Sequence, residues 1–247
     1  MAGDGMEKVK FVAEISSVRE VALLGTADLP FWNERLAAER LCPSEAEGKA
    51  RVMISATDAR FKGIRFRELT VSVFCRLQYG DQREGAYLAH AFNSVRWFAW
   101  MERTLFSTPY DHGVIDLDVG LPALVQLTLD STVILRFQMS TDSTSLGRDL
   151  VHCRDKGWTG PVFLPRGKRI GPNEGKWFLA KIGGHTQTYS FDPVRDLVTL
   201  FPVPTQPVVQ WLNDSEFSPK EWVVREAALH AKSKTYRRSK SFADFMI

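Results

Sequence analysis

The sequence predicts an α+β protein built on an antiparallel β-barrel or strongly curved sheet with flanking helices. Three observations carry this reading. Short runs of alternating polarity recur along most of the chain, and helix-like periodicity is confined to a few stretches. The third is the segment "FRELTVSVFCRL", a strand with two unlike faces. Leu69, Val71, Val73 and Cys75 point one way, while Phe66, Glu68, Thr70, Ser72 and Phe74 point the other. In a barrel, such a strand turns its apolar face to covering helices and its mixed face to an internal cavity. Glu68 is the single acid on that mixed face.

In chain order, "TADLPFWNERLAAERLCP" predicts a short helix that starts at Asp28, carries Pro30 in its first turn and ends at Pro43. Phe31, Leu36 and Leu41 line its apolar side. "KARVMISATD" alternates as a strand ahead of the two-faced one. "NSVRWFAWMERTLF" repeats Val95, Phe98, Met101 and Leu105 at helical spacing, and Trp97 and Trp100 widen the stripe, which predicts a well-buried helix. "RTLFSTPYDHGVIDLDV" carries that helix through a turn into a strand, with Tyr110, Asp111 and His112 at the corner.

Three alternating runs follow, "GVIDLDV", "ALVQLTL" and "TVILRFQM", as a meander. Residues 140–176 are rich in Ser, Thr, Gly, Pro and Arg without clear periodicity, and predict a long loop. Beyond them "KWFLAKIGGHTQTYSF" and "DLVTLFPV" predict three strands with a turn at Gly183–Gly184. "QPVVQWLND" and "SPKEWVVREAALHAK" predict two helices. A basic tail, "KSKTYRRSKSF", begins at about residue 232. With no internal repeat and no low-complexity linker, residues 1–247 read as one domain.

Composition narrows the function. Hydrophobic residues at 44% and charged residues at 25% suffice for a sizeable core. A formal charge of +3 is too small to imply a polyanionic partner, and the basic tail has no basic stripe elsewhere to extend it, which argues against nucleic acid. Cys42, Cys75 and Cys153 have no metal-site spacing, and their odd number argues against a disulfide framework. The five histidines are scattered, and no phosphate loop or nucleophile elbow is present, so neither metal nor cofactor is expected. No run of about 18 apolar residues suggests a membrane span, and the first residues do not resemble a secretory signal, so a cytoplasmic protein is the expectation.

Two segments about 40 residues apart, "ARFKGIRFRELTVSV" and "RWFAWMERTLFSTPYDHGVIDL", follow "GKARVMISATD" in an order that resembles the acetoacetate decarboxylase superfamily. The resemblance spans roughly residues 20–200. It implies an acetoacetate decarboxylase-like barrel, often assembled into homo-oligomers. The family's active-site glutamate falls on Glu68. Its Pro-Lys-Lys corner, where one lysine forms a Schiff base with a β-keto acid, falls on Pro109, Tyr110 and Asp111. A phenol and a carboxylate cannot form an imine, so the resemblance implies a divergent member without the classical chemistry, unless another lysine, with Lys181 as the candidate, substitutes.

The expected site is a barrel-internal pocket for a small organic acid or carbonyl compound, worked by general acid–base chemistry. Glu68, Tyr110 and His112 are its catalytic candidates, with His112 as a proton shuttle. Arg136 and Gln138, on one strand face, are candidates to hold a carboxylate, and Asp111 completes the corner. Each has a structural alternative. Glu68 can pair with Arg65, Arg67 or Arg136, and Pro-x-Asp-x-Gly is good turn chemistry. The rival function is a binding or scaffold protein that kept the fold and lost the reaction; a pocket filled by its own side chains would favour it.

Overall fold

The computed structural model describes residues 7–79, 83–106, 108–140, 150–155, 157–166, 175–237 and 245–246. Among them, seven strands close into a barrel: β1 (Phe11–Ala27), β2 (Lys49–Phe61), β3 (Ile64–Leu77), β4 (Gly85–Asn93), β5 (Trp158–Leu164), β6 (Lys176–Gly183) and β7 (Ser218–Ser233). Each of the first four pairs with the next, β5 pairs with β6, and β7 pairs with both β6 and β1 to complete the ring.

These joints are antiparallel, but β4 and β5 run parallel through Ala86–Val162 and Tyr87–Phe163. The barrel is therefore mixed, not antiparallel throughout as expected. The cause is the connection. After β4 the chain leaves the wall through α2 (Arg96–Leu105), crosses a separate sheet, and returns beside β4 in the same direction, which only a long crossover allows. Gly85 lies at this seam. A Cβ there would sit 2.4 Å from the Pro161 carbonyl oxygen, so glycine admits the close approach.

The apolar mass lies outside the wall. Leu69, Val71, Val73 and Cys75 of β3 join Val52, Ile54 and Leu23 in one buried cluster with Trp32 and Leu36 of α1 (Leu29–Ala37). Asp28 caps α1 by accepting from the Phe31 amide at 2.7 Å. The meander of residues 114–118, 124–129 and 132–138, extended by 197–200, forms its own four-stranded antiparallel sheet and covers the same cluster with Ile115, Leu127 and Phe137. It is thus a second layer, not part of the barrel.

Several expectations are corrected. "SPKEWVVREAALHAK" is strand β7 and not a helix. Register shifts between Pro219 and Glu221, Arg225 and Ala228, and Ala228 and His230 break its two-residue alternation, so its apolar spacing imitates a helix. Lys232 and Ser233 belong to β7, so the chain is still in the barrel where the tail was expected to begin. The stretch 140–176 contains β5 and a strand at 150–155, although residues 141–149 and 167–174 lie outside the described residues. Helix α2 is not well buried. Ala99 is its buried residue, while Trp97 and Trp100 stack on each other and remain 58% and 51% exposed. Helix α3 (Pro207–Asp214) forms where "QPVVQWLND" predicts it.

Candidate functional site

Inside the barrel is one continuous cavity of about 480 Å³. Its lining mixes small or polar side chains, such as Ala22, Ser55, Thr57 and Thr70, with larger apolar ones such as Leu24, Leu88 and Val162, and the small ones leave the space that a packed barrel would fill with branched residues. On β3 the residues facing it are Phe66, Glu68, Thr70, Ser72 and Phe74, the whole mixed face. Pairing then brings a polar belt together. Arg225 of β7 stands opposite Glu20 of β1, Glu20 opposite Thr57 of β2, Thr57 opposite Glu68 of β3, and Glu68 opposite Asn93 of β4. All five line the cavity.

Two clusters are built on this belt. In the first, the Tyr110 hydroxyl donates to Glu68 Oε2 at 2.7 Å. Residues 110–112 form a short strand laid parallel to β4, which aims the ring through the wall. Tyr110 is buried and Glu68 is half-buried at the cavity wall. Burial pushes the Glu68 carboxyl up from its usual value, the Tyr110 hydrogen bond opposes this, and the nearby Glu102 charge reinforces it. Burial and the Glu68 charge push the Tyr110 phenol well above its usual value, so it stays a neutral donor. Beside them, Lys232 Nζ of β7 donates to Glu102 of α2 at 3.0 and 3.2 Å, and Thr108 donates to the same carboxylate at 3.1 Å.

The second cluster surrounds Glu20, which is fully buried. It accepts from Ser55 at 2.8 Å and from Arg225 Nη1 at 2.8 Å, and lies 3.2 Å from His230 Nε2. Arg225 Nε is held in turn by Thr186 at 2.9 Å. Burial opposes the Glu20 charge, but the His230 bond and the His230 and Arg225 charges outweigh it and hold the carboxyl at about 2.

The residues singled out in the sequence divide clearly. Glu68 and Tyr110 meet in the cavity. Asp111, on the opposite side of its strand, points outward and takes bonds from His90 (3.1 Å), Gln206 (3.1 Å) and Arg103 (2.7 Å). Burial works against its charge, yet these partners hold its carboxyl below the usual range. It ties α2, the corner and the start of α3 together. His112 ends the short strand opposite Asn93 and does not line the cavity. Arg136 and Gln138 bond to each other at 2.6 Å on the outer sheet, with no side chain in the cavity. A carboxylate in the barrel is thus out of their reach. Lys181 lies at the cavity's edge and is exposed.

Glu20, Glu102, Arg225, His230 and Lys232 escaped sequence reasoning. The signal for Glu20 was an acid between Val18 and Ala22 in the alternating run of β1. The bulges of β7 hid the other three basic side chains.

No protein-family model matches the chain, and no curated protein matches it. Solved structures do. An acetoacetate decarboxylase structure superposes with a TM-score of 0.59 at 15% identity, covering 92% of this chain and 90% of that one. The acetoacetate decarboxylase from Legionella pneumophila subsp. pneumophila str. Philadelphia 1 superposes with a TM-score of 0.61 at 12% identity, covering 95% and 91%.

Proposed function

From the premise that this chain has the acetoacetate decarboxylase fold, we propose that it is a lyase-like enzyme acting on an organic acid or carbonyl compound in the barrel cavity. The observation that carries the reading is the Tyr110–Glu68 hydrogen bond, 2.7 Å long, inside an open cavity of about 480 Å³. A hollow that its own side chains had filled would have favoured an inactive scaffold.

The chemistry follows from the two groups. The Glu68 carboxylate, raised by burial, is a stronger base than an exposed one and takes a proton from carbon next to a carbonyl; in its protonated form it delivers its proton to the enolate carbon left when carbon dioxide departs. Tyr110 turns its O–H from Glu68 to the carbonyl oxygen and stabilises the charge that develops there. The Lys232 ammonium, beside Glu102, adds positive charge to the same end of the cavity. Enolisation and dehydration reach an enolate by loss of the α-proton, decarboxylation of a 3-oxo acid reaches it by loss of carbon dioxide, and Tyr110 faces the same oxygen charge in each. The test is carbon dioxide release and α-proton exchange on a panel of 3-oxo and 2-oxo acids. Tyr110→Phe is expected to lower turnover roughly 100-fold, the usual value of one lost donor to an oxyanion, with the fold intact by circular dichroism. Full activity in that variant would remove Tyr110 from the mechanism.

A second reading rests on Lys232. Its amine lies in the cavity near Glu68 and is packed on the Phe178 ring at 4.8 Å, whereas Lys181 is exposed. An imine on Lys232 would restore covalent chemistry from a different strand. Borohydride reduction in the presence of a ketone, followed by peptide mapping, separates the two: a Lys232 adduct supports the imine, and no adduct on any lysine leaves acid–base chemistry alone.

A further inference from the structure

We propose that the substrate carries one polar head and a long apolar tail, far larger than a four-carbon keto acid. The proposal rests on the function proposed above and deepens it. Its ground is the shape of the cavity below the polar belt. Along the strands, two residues past Glu20, Thr57 and Glu68, come Ala22, Ser55 and Thr70; two further come Leu24, Met53 and Ser72, joined by Leu88 of β4. On β7 these tiers are continued by Val223, opposite Ala22, and Glu221, opposite Leu24. The first tier is mostly small and the second mostly apolar, with Ser72 and Glu221 as its polar members, so a tube runs on from the Glu68–Tyr110 head group. It ends where Arg51, stacked on Phe74 at 4.5 Å, pairs with Glu84 at 2.8 Å across the far rim.

Length and charge set the class. Four strand residues separate Glu68 from Ser72, or about 13 Å of wall. An extended chain advances about 3.4 Å for every three bonds, so the tube takes roughly ten to twelve bonds of tail. A volume of about 480 Å³ falls in the range that suits ligands of drug size. Among the described residues, Arg225 pairs with Glu20, Lys232 with Glu102 and Arg51 with Glu84, and Lys181 is exposed at the cavity's edge, while Glu221 faces the tail-side tier, so nothing there calls for a second carboxylate at the tail end. A straight-chain or aryl-ended 3-oxo acid, or the methyl ketone it would yield, fits these demands.

The test uses the full chain and two homologous series, 2-alkanones for binding by calorimetry and 3-oxo acids for turnover. Ketone Kd is expected to fall two- to fourfold per added methylene until the tail reaches about ten carbons, and then to level off. Ser72→Phe, which fills the lower tube, should bring that plateau to shorter chains and leave the shortest ketones unaffected. Kd independent of chain length in the unaltered protein overturns the proposal whether or not the variant folds. Long ketones that bind while no 3-oxo acid is turned over would sink the enzymatic reading and keep this one. Acetoacetate turned over as well as its long homologues would do the reverse.

Discussion

Glu68→Gln is expected to reduce turnover of the accepted oxo acid roughly 100- to 10,000-fold, because it removes the group that takes and gives the proton while leaving a side chain of the same shape. Stability should move the other way. Burial penalises the Glu68 charge at neutral pH, so a neutral amide is expected to hold or raise the melting temperature. Loss of activity without loss of fold distinguishes a catalytic carboxylate from a structural ion pair, whose removal would lower both. In the unaltered enzyme, α-proton exchange governed by this group rises with pH through a value above the usual 4.5, as the carboxylate forms, whereas decarboxylation that uses it as proton donor falls over the same range. Unchanged turnover in the Gln variant would exclude Glu68.

Glu20→Ala is expected to have the largest effect on folding, a loss of about 3–5 kcal/mol, since it strands Arg225 and His230 beside a void in the wall. Guanidinium unfolding measures it directly, and a loss under 1 kcal/mol would show that the cluster is not a keystone. The sign of the accompanying pH effect is fixed. Glu20 titrates at about 2 when folded against 4.5 when free, so its contribution is present in full above about pH 4.5 and drains away as pH falls towards 2. Integrated over that window it amounts to roughly 3 kcal/mol. Glu68, raised instead of lowered, acts in the opposite direction, its share of stability shrinking as pH rises past the ordinary carboxylate value.

The two clusters show what was legible beforehand. The two-faced pattern of β3 assigned Glu68 to a lumen correctly because uninterrupted alternation encodes direction. The segment order around it pointed to the fold that the superpositions show. The expected company of Glu68 was another matter. Tyr110 reaches it across 42 residues, in the shared pocket that the resemblance implied, but Lys232 and Arg225 come from a strand whose bulges scrambled its period. Arg136 shares a face with Gln138 as its spacing implies, yet which sheet that face belongs to is a matter of topology, not of local pattern. The parallel seam was invisible for the same reason: strand direction depends on the path between strands, and the path here runs through an outer layer.

Placing the oily bulk on the exterior of the staves has an evolutionary consequence. Outside the Glu20 cluster, folding is secured by the jacket of helices and the second sheet, so other substitutions that face the hollow alter what it admits and how it reacts without dismantling the molecule. A reactive group can then be moved from one stave to another while the shell persists.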